Sequence, residues 1–407
     1  MTTPMKKKMN PFLKFLLIVV YILIALFLIL TIVINVGWSK EIKNLENIEK
    51  IIEADDNNCK PVYYFEYDGD YWLQDFIDQG GVDSPEGLIN FMIYKLSHNL
   101  INPNIEKGSI STLCTTFSAQ TQDGDKVFAR NYDYGKTGVA IVKTDPGNGF
   151  HKSISCVDLS KILIEVDKDL TPIHKMLMLA TPYVAMDGMN DAGLSCAILV
   201  TRQCEDAEAK VAKAVGTDQN TEKPDTSPTS FMRQMLDMAT SVDEAVEIAK
   251  NWDMHDFKTS TFHYIVCDAS GKSAVIEYLG ENNVVDTDGQ ARQLCITYPK
   301  PGENFLVCTN TVNKPGYYIN TNHPYASDRY NFIYSALQPK NGILIDDAEV
   351  ISLLEKCARG RHSDIWSGNP KEVTLYSCLY NMTEKSLTFI DNEKFEDQDH
   401  YKVFKLN

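Results

Sequence analysis

CTTFSAQTQDGDKVFARNYDYG, residues 114–135, is the stretch that decides how the chain reads. Two strand-like runs flank Asp123-Gly124. That dipeptide is a strong hairpin signal, because a two-residue type I′ turn needs positive φ at both central positions. With the pair as the loop, Gln122 faces Asp125, and Cys114 falls opposite Asp133. A carboxylate then stands beside a thiol at the start of a strand. Arg130 is an odd number of residues from Asp133, so a regular strand points it to the other face. It would need a bulge, or its own length, to join them.

Strand-like alternation returns further along, at 261–267 (TFHYIVC), 273–279 (SAVIEYL), 304–309 (NFLVCT), 372–380 (EVTLYSCLY) and 386–390 (SLTFI). A helix is expected where Phe231, Met235, Ala239, Val242, Ala245 and Ile248 recur at helical spacing. The polar stretch 205–229 reads as an exposed loop. Strands around a helical block fit a mixed layered sandwich better than a parallel βαβ array.

Upstream, residues 39–59 are polar and charge-mixed, as in a stalk. Residues 60–105 are richer in apolar side chains. Within them Ser84-Pro85-Glu86 opens a helix, with a capping serine, proline in the first turn and an acid behind it. Leu88, Phe91, Met92 and Leu96 supply its apolar face. Further back, residues 15–38 contain no charge, and a helix of that length rises about 36 Å, enough to span a bilayer. A cleaved signal has a shorter core and a small-residue cleavage site, neither of which is found here. Lys6, Lys7, Lys8 and Lys14 precede the span without an acidic residue, so the N-terminus is expected in the cytoplasm and the bulk of the chain outside it.

The chain carries 39 basic and 55 acidic residues, for a net charge of −16. Such a surface repels nucleic acid and gains nothing from counterion release, which excludes that class of partner. Ten cysteines form no CxxC, and no Cys/His cluster has zinc-ligand spacing. None of the eight histidines shows paired spacing such as HExxH, and all read as structural. No metal and no cofactor is expected. Cys196, Cys267 and Cys308 sit in apolar runs and read as small buried hydrophobes.

Cys-Thr-Thr-Phe from Cys114, Asp123-Gly124, and Ala-Arg-Asn-Tyr-Asp ending at Asp133 together resemble the opening of the choloylglycine hydrolase family. That family includes bile salt hydrolases and penicillin V acylases, and is related to acid ceramidase and N-acylethanolamine acid amidase. Three further stretches agree in order: Asp187 to Leu194 (DGMNDAGL), Cys308-Thr309-Asn310, and Tyr325 to Tyr330 (YASDRY). The likeness covers roughly 105–395 and leaves the first hundred residues outside it.

The resemblance implies a four-layer αββα N-terminal-nucleophile hydrolase, an α+β fold, here preceded by one transmembrane helix. Together with the uncharged span and the lysines before it, this divides the chain into a basic tail at 1–14, an anchor at 15–38, a stalk and pro-segment at 39–113, and a catalytic domain at 114–407. The nucleophile of such an enzyme is the first residue of the mature chain. Its own α-amine, with a pKa near ~7.7–8, serves as base. The Leu113–Cys114 bond must therefore be cut, and the related acid ceramidase does this by autoproteolysis and keeps the upstream piece. By resemblance, Asn190 would donate to the oxyanion, helped by the main chain near Asn310. Asp133 would hold the amine, and Arg130 and Arg329 would favour the thiolate. The expected substrate is a small N-acyl amide, with membrane anchoring tilting the choice towards a lipid-like or amphipathic one. An acyltransferase with the same residues, or an inactive tethered binding protein, is left open by the sequence.

Overall fold

The structure is a computed structural model of the chain, which describes residues 35–54, 59–101, 113–167, 169–201, 204–206, 211–213, 216–256, 261–280, 292–317, 324–360 and 373–406. The apolar stretch 15–38 lies outside these residues except for its last four. Among the described residues no helix is long and apolar enough to cross a membrane. The chain divides into two compact units, one ending at Glu46 and the other running from Asn47. The described part of the first ends in the helix Ser39–Glu46.

The second unit is built on two sheets. The larger has nine strands in the order Ile48–Ile52, Val62–Asp68, Val139–Asp145, Ser153–Asp158, Asp187–Asn190, Ser195–Thr201, Thr261–Cys267, Ser273–Leu279 and Gln293–Thr297. The other runs Leu306–Cys308, Leu113–Thr121, Lys126–Tyr134, Val373–Asn381, Ser386–Asp391 and Tyr401–Lys405, with Ile343–Leu344 also paired to Leu113–Thr121. Side chains of both sheets share one core, including Phe128, Tyr132 and Tyr376 from one and Met189, Ala197 and Ile265 from the other. Phe231, Met235, Val242 and Ala245 of the helices Pro228–Met238 and Val242–Asn251 belong to the same cluster. A second core joins Phe117, Val127 and Leu379 to Ile333, Leu337, Val350 and Leu354 of the helices Pro324–Leu337 and Asp347–Lys356. The result is an α+β sandwich of two packed sheets with helices on them.

Three local expectations change. The hairpin forms, but Asp123-Gly124 is not its two-residue loop. Gly124 has φ +98, whereas Asp123 is not among the positive-φ residues, and Gly124 N–H donates to Thr121 O. The loop is longer than two residues, so Gln120 pairs with Lys126, and the register sits one residue away from that of a type I′ turn. The helix expected across 231–248 is two helices, because Ser241 caps a fresh start by accepting from Glu244 N–H. The 205–229 stretch is not uniformly exposed. Cys204–Asp206 and Val211–Lys213 pair as strands, and Thr217, Thr226 and Ser227 are buried.

The upstream segment is more than a tether. Val62–Asp68 lies inside the large sheet, parallel to Val139–Asp145. The helix Pro85–Leu96 forms as expected, its Ser84 Oγ accepting from Gly87 N–H. Phe76, Phe91, Tyr183 and Trp252 meet ring to ring, and the Tyr71 hydroxyl donates to Asp237 Oδ2 at 2.5 Å. Cys196, Cys267 and Cys308 are fully buried.

Candidate active site

In the hairpin, Leu113 pairs with Asp133, Cys114 with Tyr132 and Thr116 with Arg130. Directly opposed residues share a face of the sheet and alternate ones point the other way. Cys114, Thr116, Arg130 and Tyr132 therefore face the large sheet, while Thr115, Asn131 and Asp133 face the helices. The partners agree: Arg130 donates to the carbonyls of Met186 and Ile198, and Asn131 Nδ2 donates to Leu354 O. The expected placement is thus reversed, with Arg130 beside the thiol and Asp133 on the far side. A slip of one residue exchanges every side chain between faces.

On the inward face, Arg130 Nη2 stands 3.2 Å from Cys114 Sγ, and Nη1 makes a 3.0 Å ion pair with Asp187 Oδ2. The guanidinium also lies 5.1 Å above the Tyr132 ring. Asp187 takes hydrogen bonds from the hydroxyls of Tyr376 and Tyr380, so its charge is fixed on two sides. All of this is buried. Burial pushes the Cys114 thiol above its ordinary range, although the Arg130 charge works against the rise.

On the outward face, Arg329 reaches from the helix Pro324–Leu337 to the Cys114 carbonyl and to Thr115 Oγ1. Its other nitrogen donates to Asn310 Oδ1 at 3.0 Å, and Asp133 Oδ2 lies 3.5 Å away. Asn310 Oδ1 accepts the Cys114 backbone N–H at 2.8 Å, while its Nδ2 donates to Val200 O. Asp133 Oδ1 accepts from the Thr374 hydroxyl at 2.7 Å. Burial raises Asp133 above the usual carboxylate range, with Arg329 and Thr374 opposing the shift.

Five of the six expected residues thus converge on Cys114, namely that cysteine with Arg130, Asp133, Asn310 and Arg329. Asn190 does not join them. Both hydrogens of its amide are spent on the carbonyls of Leu236 and Ala239, and its Oδ1 accepts from Ala192 and Leu194 N–H. It closes a turn to Gly193 and ties that turn to a helix end, which leaves no donor for an oxyanion.

Two contributors were not singled out from the sequence. Asp187 stands in the same DGMNDAGL stretch, three residues before Asn190, and a buried acid beside a buried arginine is the pairing to look for. Thr201 is the other. Its hydroxyl is buried without a hydrogen-bond partner among the described residues. It shares a strand face with Ser195, the partner of Cys267, whose thiol meets Ser118 of the hairpin. Thr201 therefore faces the hairpin, next in sequence to the Val200 carbonyl that Asn310 holds.

A family model described as linear amide C–N hydrolases, choloylglycine hydrolase family, matches residues 114–289. Among solved structures the chain is similar to a variant of conjugated bile acid hydrolase from Clostridium perfringens, at 17% identity, covering 72% of this chain and 97% of that one, with a TM-score of 0.46. It is also similar to penicillin V acylase from Agrobacterium tumefaciens, at 19% identity, 68% and 83% coverage, and a TM-score of 0.42. A third likeness is to the Caenorhabditis elegans N-acylethanolamine-hydrolyzing acid amidase ortholog, at 15% identity, 72% and 100% coverage, and a TM-score of 0.40. No curated protein sequence matches the chain. Residues 114–289 thus match a linear amide C–N hydrolase domain of the choloylglycine hydrolase family, which supports a hydrolase acting on linear amide C–N bonds.

Proposed function

We propose that the chain cleaves an N-acyl amide with Cys114 as nucleophile, after the Leu113–Cys114 bond has been broken. The observation that carries this reading is that the family match starts at Cys114, whose Sγ and backbone N are each held by a separate buried group. In the uncut chain the nitrogen is an amide and no base. The thiol attacks the Leu113 carbonyl, the C–N bond breaks as a thioester forms, and the thiol proton passes to the departing nitrogen. That step frees the α-amine, and water then hydrolyses the thioester, which frees the thiol and leaves Leu113 as a carboxylate.

In turnover that amine takes the thiol proton, and the thiolate attacks the substrate carbonyl. The ammonium then protonates the leaving amine, and water releases the acyl group. Asp133, opposite Leu113 in the register, stands where the freed ammonium would project. Arg130 stabilises the thiolate, and Arg329 fixes Asn310 and the Cys114 carbonyl. With Asn190 committed to the scaffold, the Thr201 hydroxyl takes its place as oxyanion donor. Thr201→Val should then lower kcat, by up to about 10²-fold for a lost donor of this kind. An unchanged kcat would remove Thr201 from the site.

The upstream piece should stay bound after cleavage, since Val62–Asp68 is a strand of the large sheet. We also propose that residues 15–38 anchor the chain as one transmembrane helix with the catalytic domain outside the cytoplasm, and that the substrate is lipid-like or amphipathic. The uncharged stretch and the four lysines before it support the anchor. Protease added to intact cells should reach 205–229 and spare Lys6 to Lys8, and a protected catalytic domain would reverse the orientation. A competitive screen of N-acyl amides on the purified chain tests the substrate class, and preference for a short polar acyl group would contradict it.

A further inference from the structure

A second cluster of chemistry lies outside the hairpin site. The short strands Asp225–Thr226 and Asp253–Met254 pair in parallel, with Asp225 opposite Asp253, and His255 follows directly. His255 Nε2 lies 3.1 Å from Asp225 Oδ1 and 3.5 Å from Asp253 Oδ1. Its Nδ1 lies 3.4 Å from Asp218 Oδ1. Asp253 is 1% exposed, and its Oδ2 accepts from Thr221 N–H, but its Oδ1 has no hydrogen-bond partner among the described residues.

An imidazolium does not complete this arrangement. The single Nε2 proton can serve the nearer Asp225 oxygen, and the buried Asp253 oxygen is then left as an unsatisfied charge, which is costly. A metal ion satisfies all three ligands at once. Bonds of ~2.0–2.2 Å at tetrahedral angles place ligand atoms about 3.4 Å apart, close to the two separations seen here. Asp218 occupies the supporting position, because a carboxylate on Nδ1–H fixes the tautomer that turns the Nε2 lone pair towards a metal. One imidazole and two carboxylates are a borderline donor set that suits Zn²⁺.

We propose that Asp225, Asp253 and His255 bind a zinc ion, with Asp218 orienting the imidazole. The ion has a structural consequence. Asp225 N–H donates to Gly80 O, and Asp225 O accepts from Val82 N–H, so the strand that carries a ligand is also the one on which the upstream segment docks. A Cβ on Gly81 would fall 1.7 Å from Asp225 O, so the two backbones meet with no room for a side chain. Zinc would thus brace the seam between residues before and after Cys114. Asp253 and His255 lie together at one strand, whereas Asp225 and Asp218 come from an earlier stretch of chain, so no Cys/His ligand spacing shows in the sequence.

The test uses the full chain, stripped with chelator and returned to Zn²⁺ or Co²⁺ in calorimetric and visible-absorption titrations. One equivalent should bind, with Co²⁺ giving the intense visible bands of a tetrahedral site and no sulfur charge-transfer band. Asp253→Asn and His255→Gln should abolish this uptake, and Asp218→Asn should weaken it about 10- to 100-fold. Zn²⁺ should raise the Tm of the unsubstituted chain and leave that of Asp253→Asn unmoved. Without metal, Asp253→Asn should melt at or above the unsubstituted chain, since it removes one charge from an acidic cluster, and this separates lost binding from lost folding. No uptake, uptake with thiolate bands, or equal uptake by the variants would overturn the site. None of these readouts depends on amide cleavage, so the zinc site and the hydrolase mechanism stand or fall separately.

Discussion

The two faces of the hairpin strand that begins at Cys114 are both buried and both hold an arginine against an aspartate, yet they are built for different work. Inward, Arg130 and Asp187 form a 3.0 Å pair joined by two tyrosine hydroxyls and two main-chain carbonyls, with Arg130 Nε left without a hydrogen-bond partner among the described residues. Outward, Arg329 and Asp133 stand 3.5 Å apart and divide their hydrogen bonds among Cys114, Thr115, Asn310 and Thr374. The inward pair is the tighter of the two and also touches a thiol. The outward pair is looser, and it lies beside the Leu113–Cys114 bond that the proposed mechanism breaks. The difference teaches that alternation along one strand can separate the nucleophile's support from its base.

Removing the nucleophile should have the largest effect on that division. Cys114→Ser should lower amide hydrolysis by at least about a hundredfold, a loss of ~2.7 kcal/mol or more in transition-state stabilisation. Near-normal turnover in steady-state assays would undo the assignment.

The two aspartates should then separate. Asp187→Asn leaves a buried guanidinium without its counter-charge and should destabilise the fold by about 3–5 kcal/mol in urea titration. Asp133→Asn also loses a counter-charge, that of Arg329, but across a longer 3.5 Å contact and with Thr374 still donating, so it should destabilise less, by about 1–3 kcal/mol. It should nevertheless depress cleavage and turnover more than Asp187→Asn does in protein that remains folded. The opposite ordering would mean that the faces have been given the wrong roles.

Asn190 sharpens the contrast, because it lies in a motif of the family yet serves neither face. Asn190→Ala should cost about 1–3 kcal/mol of stability by leaving its turn and helix-end partners unsatisfied. The kcat of the folded fraction should stay near that of the unsubstituted chain. A drop in kcat without a drop in stability would return Asn190 to the oxyanion.

The smallest effect is expected at the edge of the hairpin's own sheet, where His400 Nδ1 lies 3.1 Å from Asp391 Oδ2. The hydrogen bond to Asp391 raises the imidazole's pKa above its ordinary 6.5. The stabilisation is therefore complete below that value and is lost as pH rises through the elevated one. His400→Gln should cost up to about 1 kcal/mol at pH 5.5 and almost nothing at pH 9, as read from paired thermal melts. An equal cost at both pH values would exclude the charge as its origin.

Much of this arrangement was legible before any coordinate. Cys114 and Asp133 were brought together by the hairpin, Arg130, Asn310 and Arg329 came from the family resemblance, and the late strands fell where alternation placed them. Register was not legible. Whether Asp123 and Gly124 both adopt positive φ, or only Gly124, is a choice between turn types that the dipeptide leaves open, and it moves Arg130 and Asp133 to opposite faces. The break at Ser241 was hidden because apolar residues keep helical spacing across it, although Ser241 with Glu244 is a capping signature. The strand Val62–Asp68 buries Tyr63, Phe65 and Tyr67 and exposes Glu66 and Asp68, but the unbroken run Val62 to Phe65 masks that alternation in the sequence.

The central claim is that Cys114 becomes a chain terminus. Intact-mass analysis and N-terminal sequencing of active protein test it most directly. Two non-covalently associated pieces are expected, 1–113 and a second beginning at Cys114, and Cys114→Ala should stay uncut. An active, homogeneous, uncut chain would contradict both the self-cleavage and the α-amine as base.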